Sequence, residues 1–299
     1  MERKFKKPVL ASTVILIRPY NEELQVYLLK RSKQSGFMAG KYVFPGGKVD
    51  PEDFGLKIGD LHIDLDADGI KKRFGDGISS EKMCALSTAA VRETFEEAGV
   101  FFAYRERQSE KDIKQVCEMR LKENCLPGWF MKQVISEKWV LNFGALFGWS
   151  HWITPALMKH RFDTYFFIAS LPQGQICVPD TREAVDGIWI SPEKGLTGNL
   201  EGKIPLSPPT LVTLHELLKY SDLDSLNKDI KNRKWHRTLL PRLVPLKHGA
   251  VILEPWDPAY NRENIKLDIK SIKDDILPVG ESFSRIWFDD NLWRPVRSP

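Results

Sequence analysis

The chain has 299 residues, of which 42% are hydrophobic and 28% are charged. At roughly 100–200 residues per domain this length fits one large domain or two small ones, and the composition excludes a disordered or a collagen-like chain. The net charge of +4 is too small to predict a nucleic-acid or membrane partner, and no apolar run approaches the roughly 18 residues that a membrane-spanning helix needs.

The first elements are predicted to be a β-hairpin and a short strand. Residues 9–17 and 24–29 are apolar runs that favour strands, and the Pro-Tyr-Asn sequence at 19–21 is typical of a turn. A further strand at 42–44 ends at the Pro-Gly-Gly sequence of residues 45–47, because glycine adopts backbone angles that other residues avoid.

The clearest predicted helix covers residues 83–98. The Ser-Ser-Glu sequence at 79–81 can cap its start, and Gly99 follows as a stop signal. At 100° per residue one side of this helix is apolar. That side consists of Cys84, Thr88, Val91, Phe95 and Ala98. The opposite side presents Arg92, Glu93, Glu96 and Glu97.

The remaining segments give weaker signals. Residues 50–77 are acidic and contain several glycines, which predicts a surface excursion. Residues 105–160 are predicted to be mainly helical, and strands are predicted at 164–169 and 185–190. Further predicted elements are a helix from Pro208 through Lys219 and a strand at 250–253.

Three glutamates within five residues repel one another, so a helix face that gathers them needs a positive partner. One interpretation is that these glutamates form a solvated acidic face without a specific function. Carboxylates spaced three and four residues apart on a helix can converge on a hard divalent cation such as Mg²⁺. Such a cation would neutralise a diphosphate and make a bound water a better nucleophile. The apolar opposite face and the upstream Gly46-Gly47 turn favour this second interpretation.

The segment Arg92-Glu93-Thr94-Phe95-Glu96-Glu97-Ala98-Gly99-Val100 resembles the second half of the Nudix hydrolase signature, G-x5-E-x7-R-E-U-x-E-E-x-G-U, where U is aliphatic. Thr94 occupies the aliphatic position that follows the Arg-Glu pair. The first half begins at Gly47 and places Asp53 where the family has glutamate. A long insertion then separates Asp53 from Arg92.

The resemblance implies an α/β/α sandwich with a mixed sheet. The domain would span residues 1–220, with helical insertions at about 54–80 and 105–160, and residues 221–299 would form a C-terminal extension packed on the core. The implied metal ligands for Mg²⁺ or Mn²⁺ are Glu93, Glu96, Glu97 and the Gly47 carbonyl. Arg92 would orient the glutamates through charge-assisted hydrogen bonds. One of these glutamates or Glu183 would act as the general base.

An insertion inside the signature is similar to the coenzyme A diphosphatase branch of the family. That branch also has a motif before the signature, of which this chain keeps Leu28, Arg31, Ser32 and Gly40, with Leu29 and Gly36 at two other motif positions. Arg31 could hold a phosphate such as the 3′-phosphate of coenzyme A. The implied substrate-binding residues are Arg31, Phe44, Gly46 and Gly47.

The resemblance therefore implies a small-molecule substrate, a nucleoside diphosphate linked to another group. Coenzyme A or acyl-coenzyme A, cleaved to phosphopantetheine and 3′,5′-ADP, is the leading candidate. One alternative is a diphosphatase for ADP-ribose, NADH or a nucleotide sugar. Another is a non-catalytic nucleotide- or RNA-binding module, for which the basic segment 228–248 is the best support. Nudix enzymes often pair, so a homodimer is also an open alternative.

Two other sequence features concern a possible calcium site and the cellular compartment. The acidic sequence from Asp64 to Gly69 copies the start of a calcium loop, but Gly75 stands where a bidentate glutamate is needed, which favours a solvated loop. The four cysteines form no C-x-x-C pair, and we find no signal-peptide core and no Ser-Lys-Leu ending. We therefore expect a reducing, cytoplasmic setting without a membrane or nucleic-acid partner.

Overall fold

The computed structural model describes residues 6–75, 77–122, 128–180, 184–231, 233, 237–265, 267 and 269–298. Its central feature is a seven-stranded mixed sheet. The strands are β1 (Val9–Tyr20), β2 (Glu23–Arg31), β3 (Tyr42–Val43), β4 (Gly46–Lys48), β7 (Phe147–Ile153), β8 (Phe162–Ser170) and β9 (Ala184–Ile190). Two short strands, β5 (Ala103–Tyr104) and β6 (Val140–Leu141), pair separately.

Strand β1 organises the sheet. Its second half forms the predicted hairpin with β2, and Ile17 pairs with Val26. Its first half pairs antiparallel with the two-glycine strand β4, while its other edge runs parallel to β8. Strands β3 and β9 both pair with β2, and β7 closes the opposite edge against β8. The strands predicted at 9–17, 24–29, 42–44, 164–169 and 185–190 are therefore confirmed, within three residues at their ends.

Helix α2 (Ser80–Ala98) is the helix predicted at 83–98. The Ser79 side chain accepts a hydrogen bond from the Lys82 backbone N–H at its start. Gly99 ends the helix in the left-handed conformation, with φ of +71°. The predicted apolar side is fully buried under the sheet.

Helices cover both faces of the sheet, because alternate residues of β1 face opposite sides. Val14 and Leu16 pack with α2 in one buried cluster, which we call the α2-side core. Ile15 and Ile17 pack in a second cluster on the other face, which we call the cleft-side core. Helices α5 (Pro192–Leu200), α6 (Pro208–Leu217) and α7 (Leu223–Ile230) contribute to the cleft-side core. The predicted α/β/α sandwich with a mixed sheet is confirmed.

The first insertion is in part the predicted surface excursion, since most of its residues are exposed or half-buried, but it also contains a helix that packs into the core. After a 3-10 turn at Pro51–Phe54, the chain forms α1 (Ala67–Phe74). Ile70 and Phe74 of α1 are buried in the α2-side core. The aspartates of the calcium-loop sequence have structural roles: Asp66 accepts from the Gly69 N–H at the start of α1, and Asp64 accepts from the Phe143 and Gly144 N–H groups.

The prediction that residues 105–160 are mainly helical is only half right. Helices α3 (Glu110–Lys122) and α4 (Trp129–Ser136) lie in the first part of the stretch. The second part contains β7, a strand of the central sheet. Its Trp149 is fully buried and its Trp152 is 5% exposed. Trp149 and Trp152 belong to the cleft-side core.

The C-terminal extension carries a second sheet, of four antiparallel strands in the order β10-β11-β12-β13. They are β10 (Arg242–Pro245), β11 (Ala250–Leu253), β12 (Arg285–Asp289) and β13 (Leu292–Val296), and α8 (Ile269–Asp274) precedes β12. The strand predicted at 250–253 is confirmed as β11. Ile252, Ile286 and Trp293 belong to the cleft-side core, so this sheet packs directly on the central domain. The domain boundary at 220 stays a prediction.

None of the described helices combines the length and the apolar character that crossing a bilayer requires.

Candidate active site

The two glycines of β4 let acidic side chains from α2 approach the sheet. A Cβ atom at Gly46 would lie 2.4 Å from the Ser12 carbonyl oxygen, and one at Gly47 would lie 2.4 Å from the Glu93 carboxylate. Any side chain at these positions would therefore collide with the neighbouring strand or with α2. Because Gly46 and Gly47 have no side chains, Glu93 of α2 can reach the edge of a cleft on the other face of the sheet.

Arg92 is the hub of a buried charge network. Its Nε and Nη2 donate to the two carboxylate oxygens of Asp53, both at 2.9 Å, and Asp53 is completely buried. Nη2 also donates to the Lys48 carbonyl at 2.9 Å. Nη1 donates to Glu93 at 2.8 Å and to Glu96 at 3.0 Å. Asp53 in place of the signature glutamate thus reaches the signature arginine despite the insertion, because the 3-10 turn at Pro51–Phe54 packs against α2.

Burial dominates the protonation of this network. Burial raises the pKa of Glu93 to about 7, although the adjacent Arg92 charge lowers it. Burial also raises the pKa of Glu96 against the same opposing charge. The Arg92 guanidinium keeps its proton because its hydrogen bond to Asp53 and the surrounding carboxylates raise its pKa despite burial. A divalent cation beside Glu93 would add positive charge and favour the ionised carboxylate.

The structure divides the three signature glutamates into two sets. Glu93 and Glu97 line the cleft together with Gly46 and Gly47, and the Glu97 carboxylate accepts from the Gly46 N–H at 2.8 Å. The Glu96 side chain is 25% exposed and bonds to Arg92, and it is not part of the cleft wall. Glu97 is 9% exposed, so this side of α2 is not a solvated acidic face.

The donors at the cleft edge fit a hard divalent cation in type. Carboxylate and backbone carbonyl oxygens are the ligands that such cations prefer. Within the described ranges no three histidine, cysteine, aspartate or glutamate side chains are arranged to hold a metal ion on their own. Any ion here would therefore share Glu93 with Arg92 and take its other ligands from Glu97, the backbone, water or substrate. The metal-binding roles of Glu93, Glu96, Glu97 and Gly47 stay predictions.

The cleft has a volume of about 450 Å³, within the range typical of small-molecule sites. Arg31 and Phe44, both predicted to bind substrate, line it. The buried Nε of Arg31 has no hydrogen-bond partner among the described residues, so the Arg31 side chain in the cleft wall has a donor that is not used within the described chain. Trp152 also lines the cleft, whereas Trp149 lies fully inside the core. Glu183 lies outside the described residues.

Sequence reasoning missed part of this cleft. Pro241, Ile252 and Trp293, all from the C-terminal extension, contribute to its wall together with the Pro208-Pro209 start of α6. The apolar β-rich run at 250–253 was a signal for a strand. It contained no signal for contact with residues some 200 positions earlier in the chain.

The fold and the cleft define a Nudix hydrolase. The family described as the NUDT19 Nudix domain matches residues 7–217, and the chain belongs to this family. Nudix hydrolases generally use divalent metal ions.

Particular relatives sharpen this assignment. The chain is 28% identical over 274 residues to the acyl-coenzyme A diphosphatase NUDT19 of Xenopus laevis, covering 80% of this chain and 72% of the relative. It is 28% identical over 313 residues to the protein of the same name from Homo sapiens, covering 90% of this chain and 82% of the relative. A solved NUDIX hydrolase from Alicyclobacillus acidocaldarius superposes with a TM-score of 0.58 at 21% identity, covering 77% of this chain and 98% of that one. The structural likeness shows the fold alone.

Proposed function

We propose that this Nudix hydrolase cleaves the diphosphate bond of coenzyme A or acyl-coenzyme A, releasing phosphopantetheine and 3′,5′-ADP. The observation that carries the proposal is the composition of one cleft. Glu93 and Glu97 line it beside Gly46-Gly47. Arg31, whose Nε has no hydrogen-bond partner among the described residues, and an extended apolar wall share the same space. The relatives named acyl-coenzyme A diphosphatase support the same substrate class.

The diphosphate would lie beside Glu93, Glu97 and the Gly47 carbonyl, which would hold Mg²⁺ or Mn²⁺. Such an ion supplies charge neutralisation for the diphosphate and a more acidic bound water. Glu96 would act together with Arg92, whose hydrogen bonds position Glu93 and Glu96 against α2. Because Arg92 is anchored on buried Asp53, it can hold these carboxylates without reorienting during the reaction.

The other cleft residues would bind the two ends of the substrate. Arg31 would donate to the 3′-phosphate, since a guanidinium matches phosphate geometry with several donors. Phe44, 3% exposed in the cleft wall, would pack beside the bound substrate. A cleft carboxylate or Glu183 would accept the proton of the attacking water.

The test is a substrate panel with product identification by mass spectrometry. The purified chain is incubated with Mg²⁺ or Mn²⁺ and with coenzyme A, acyl-coenzyme A, dephospho-coenzyme A, ADP-ribose or NADH. We expect phosphopantetheine or its acyl derivative together with 3′,5′-ADP. Faster cleavage of ADP-ribose or NADH than of any coenzyme A compound would overturn the substrate assignment. Nucleotide binding without any turnover would instead indicate a non-catalytic module.

Assembly and compartment complete the proposal. We propose that the chain works in a reducing, cytoplasmic setting, either alone or as a homodimer. Light scattering of the purified chain measures whether it is a monomer or a dimer. Cell fractionation measures its compartment.

A further inference from the structure

The C-terminal sheet supplies one wall of the catalytic cleft. Pro241, Ile252 and Trp293 line the cleft, although all three lie beyond the segment that matches the Nudix domain. Ile252 and Trp293 are each 5% exposed and pack in one cluster with Phe44 and Trp152 of the central domain. The wall is therefore continuous with the apolar floor of the cleft.

Two polar contacts, one buried and one partly buried, hold this wall in place. Lys41, 3% exposed, donates from Nζ to the Asn291 side-chain oxygen at 2.9 Å and also to the Asn291 carbonyl. Asn199, 1% exposed, donates to the Trp293 carbonyl at 2.8 Å and accepts from the Leu206 N–H. Lys41 and Asn199 belong to the central domain, and Asn291 and Trp293 belong to the β12–β13 hairpin. Hydrogen bonds of this kind fix the hairpin at one position on the cleft.

The wall has a distinct chemistry. Its three side chains carry no charge, whereas the cleft cations Arg31 and Lys48 come from the central domain. The carboxylates Glu93 and Glu97 enter from α2, which packs on the opposite face of the sheet. A nucleotide with phosphates at both ends needs cations and hydrogen-bond donors. A hydrocarbon chain binds to an apolar surface because both surfaces are then removed from water.

We propose that Ile252 and Trp293 of the C-terminal extension bind the acyl chain of acyl-coenzyme A and thereby set the preference for acylated over free coenzyme A. This inference rests on the proposed function. It assigns the extension a specificity role that the Nudix signature alone does not contain. Lys41 and Asn199 act as positioning residues, because they hold the hairpin that carries Trp293.

The test compares free, octanoyl- and lauroyl-coenzyme A. In Trp293→Ala we expect kcat/KM for lauroyl-coenzyme A to fall about tenfold relative to that for free coenzyme A, because buried aromatic area at the wall is lost. Trp293→Phe keeps an aromatic wall and should restore most of the preference. Ile252→Val removes one methylene and should lower the same ratio about threefold.

A second readout does not depend on turnover. Binding of lauroyl- and free coenzyme A is measured by titration calorimetry in a chelator, which blocks metal-dependent hydrolysis. The affinity of Trp293→Ala for the lauroyl compound should fall about tenfold relative to its affinity for free coenzyme A. Trp256→Ala is the matched control, because Trp256 lies in the same extension, is 46% exposed and does not line the cleft. Circular dichroism and thermal unfolding establish that each variant is folded.

The outcomes separate the two proposals. Equal losses on free and acylated coenzyme A would show that the wall contacts the part common to both, and this would overturn the inference while leaving the hydrolase proposal intact. An unchanged lauroyl preference in both Trp293→Ala and Ile252→Val would also overturn it. A wild-type chain that binds lauroyl-coenzyme A more tightly than free coenzyme A but cleaves neither would refute the proposed function alone.

Discussion

Two buried arginine–aspartate pairs, one in each sheet region, have nearly the same geometry. In the central domain Arg92 donates to Asp53 at 2.9 Å through both Nε and Nη2. In the C-terminal extension Arg285 donates to Asp257 at 2.7 Å and 3.1 Å. Both aspartate side chains are completely buried.

The surroundings of the two pairs differ. Arg92 has a further nitrogen that reaches Glu93 and Glu96, and Glu93 borders the cleft. In the extension, Asp257 instead accepts from the Ser284 hydroxyl at 2.7 Å, and neither member of the pair borders the cleft. A buried ion pair is weak evidence for function by itself. The distinguishing feature is a second set of carboxylates that the arginine holds beside an open cavity.

The largest expected effect is at the cleft carboxylate of the Arg92 region. Glu97→Gln keeps the size of the side chain and its acceptor for the Gly46 N–H but removes one negative charge. We expect kcat/KM to fall by about 10²- to 10³-fold, since a charge aimed at the reacting groups is lost. Steady-state kinetics at saturating Mn²⁺ measure this, with thermal unfolding as the control for folding. Activity within threefold of wild type would contradict the role of Glu97.

The two pairs can be separated by matched substitutions. Asp53→Asn and Asp257→Asn each remove a buried carboxylate charge that accepts two hydrogen bonds from an arginine. The free energy of unfolding should fall by about 3–5 kcal/mol in Asp257→Asn and by less in Asp53→Asn, because Arg92 keeps Glu93 and Glu96 as charged partners. Only Asp53→Asn should also lower kcat/KM per folded molecule, by about 10- to 100-fold, because Arg92 then loses the anchor that orients Glu93. Urea unfolding and kinetics normalised to the folded fraction measure both. An equal loss of activity in the two variants would show that the Asp53–Arg92 pair has no more influence on catalysis than the Asp257–Arg285 pair.

A smaller effect is expected at Arg31, a cation of the central domain that lines the cleft. Arg31→Ala should lower kcat/KM for coenzyme A by about tenfold, because a charged hydrogen bond to the 3′-phosphate is lost. The value for dephospho-coenzyme A should stay the same. Lys30→Ala is the control, since Lys30 is the adjacent cation but packs over the Tyr42 ring, outside the cleft. Parallel losses on both substrates would place Arg31 elsewhere on the substrate.

The smallest effect is expected at Glu254, a buried carboxylate of the extension that has no arginine partner among the described residues. Both oxygens of Glu254 are buried without a hydrogen-bond partner among the described residues, and burial raises its pKa to about 8. The folded chain therefore holds this proton more tightly than the unfolded chain, in which the pKa is about 4.3. Its contribution to stability is fully present below about pH 4 and is lost as the pH rises towards about 8.

The measurement is urea unfolding at pH 6, 7 and 8. Glu254→Gln should gain stability relative to wild type as the pH rises, by at most about 1.4 kcal/mol per pH unit. Glu281→Gln, an exposed position of the same extension, should show no such trend. A constant difference between Glu254→Gln and wild type across this range would show that Glu254 titrates normally in the folded chain.

Local sequence predicted the parts of the site whose geometry is local. The helix from Ser79 to Gly99, the grouping of Glu93, Glu96 and Glu97 on one side and the Gly46-Gly47 turn all follow from propensity, spacing and capping. The partners of Arg92 were also expected to be glutamates. That Glu97 turns to the Gly46 N–H while Glu96 stays outside the cleft was not predicted, because neighbouring positions on one helix side differ only in what packs against them.

Longer-range features were predicted less well. The acidic residues of the insertion before α2 predict a surface excursion, and they outnumber the few apolar side chains, such as Ile70 and Phe74, that anchor its helix in the core. Residues 147–153 lie in the stretch predicted to be mainly helical, although pairing with β8 makes this segment a strand. Strand propensity depends strongly on such neighbours.

The amino-acid sequence by itself determined the charged side of α2, the glycine strand beside it and the α/β class, since each depends on interactions between residues close in the chain or on a periodic pattern. Only the tertiary structure decided that Asp53 reaches Arg92 across an insertion and that Trp293 lies opposite residues of the first strands. These contacts join segments separated by tens to hundreds of residues. Their formation depends on which apolar surfaces pack together, and no local pattern encodes that pairing.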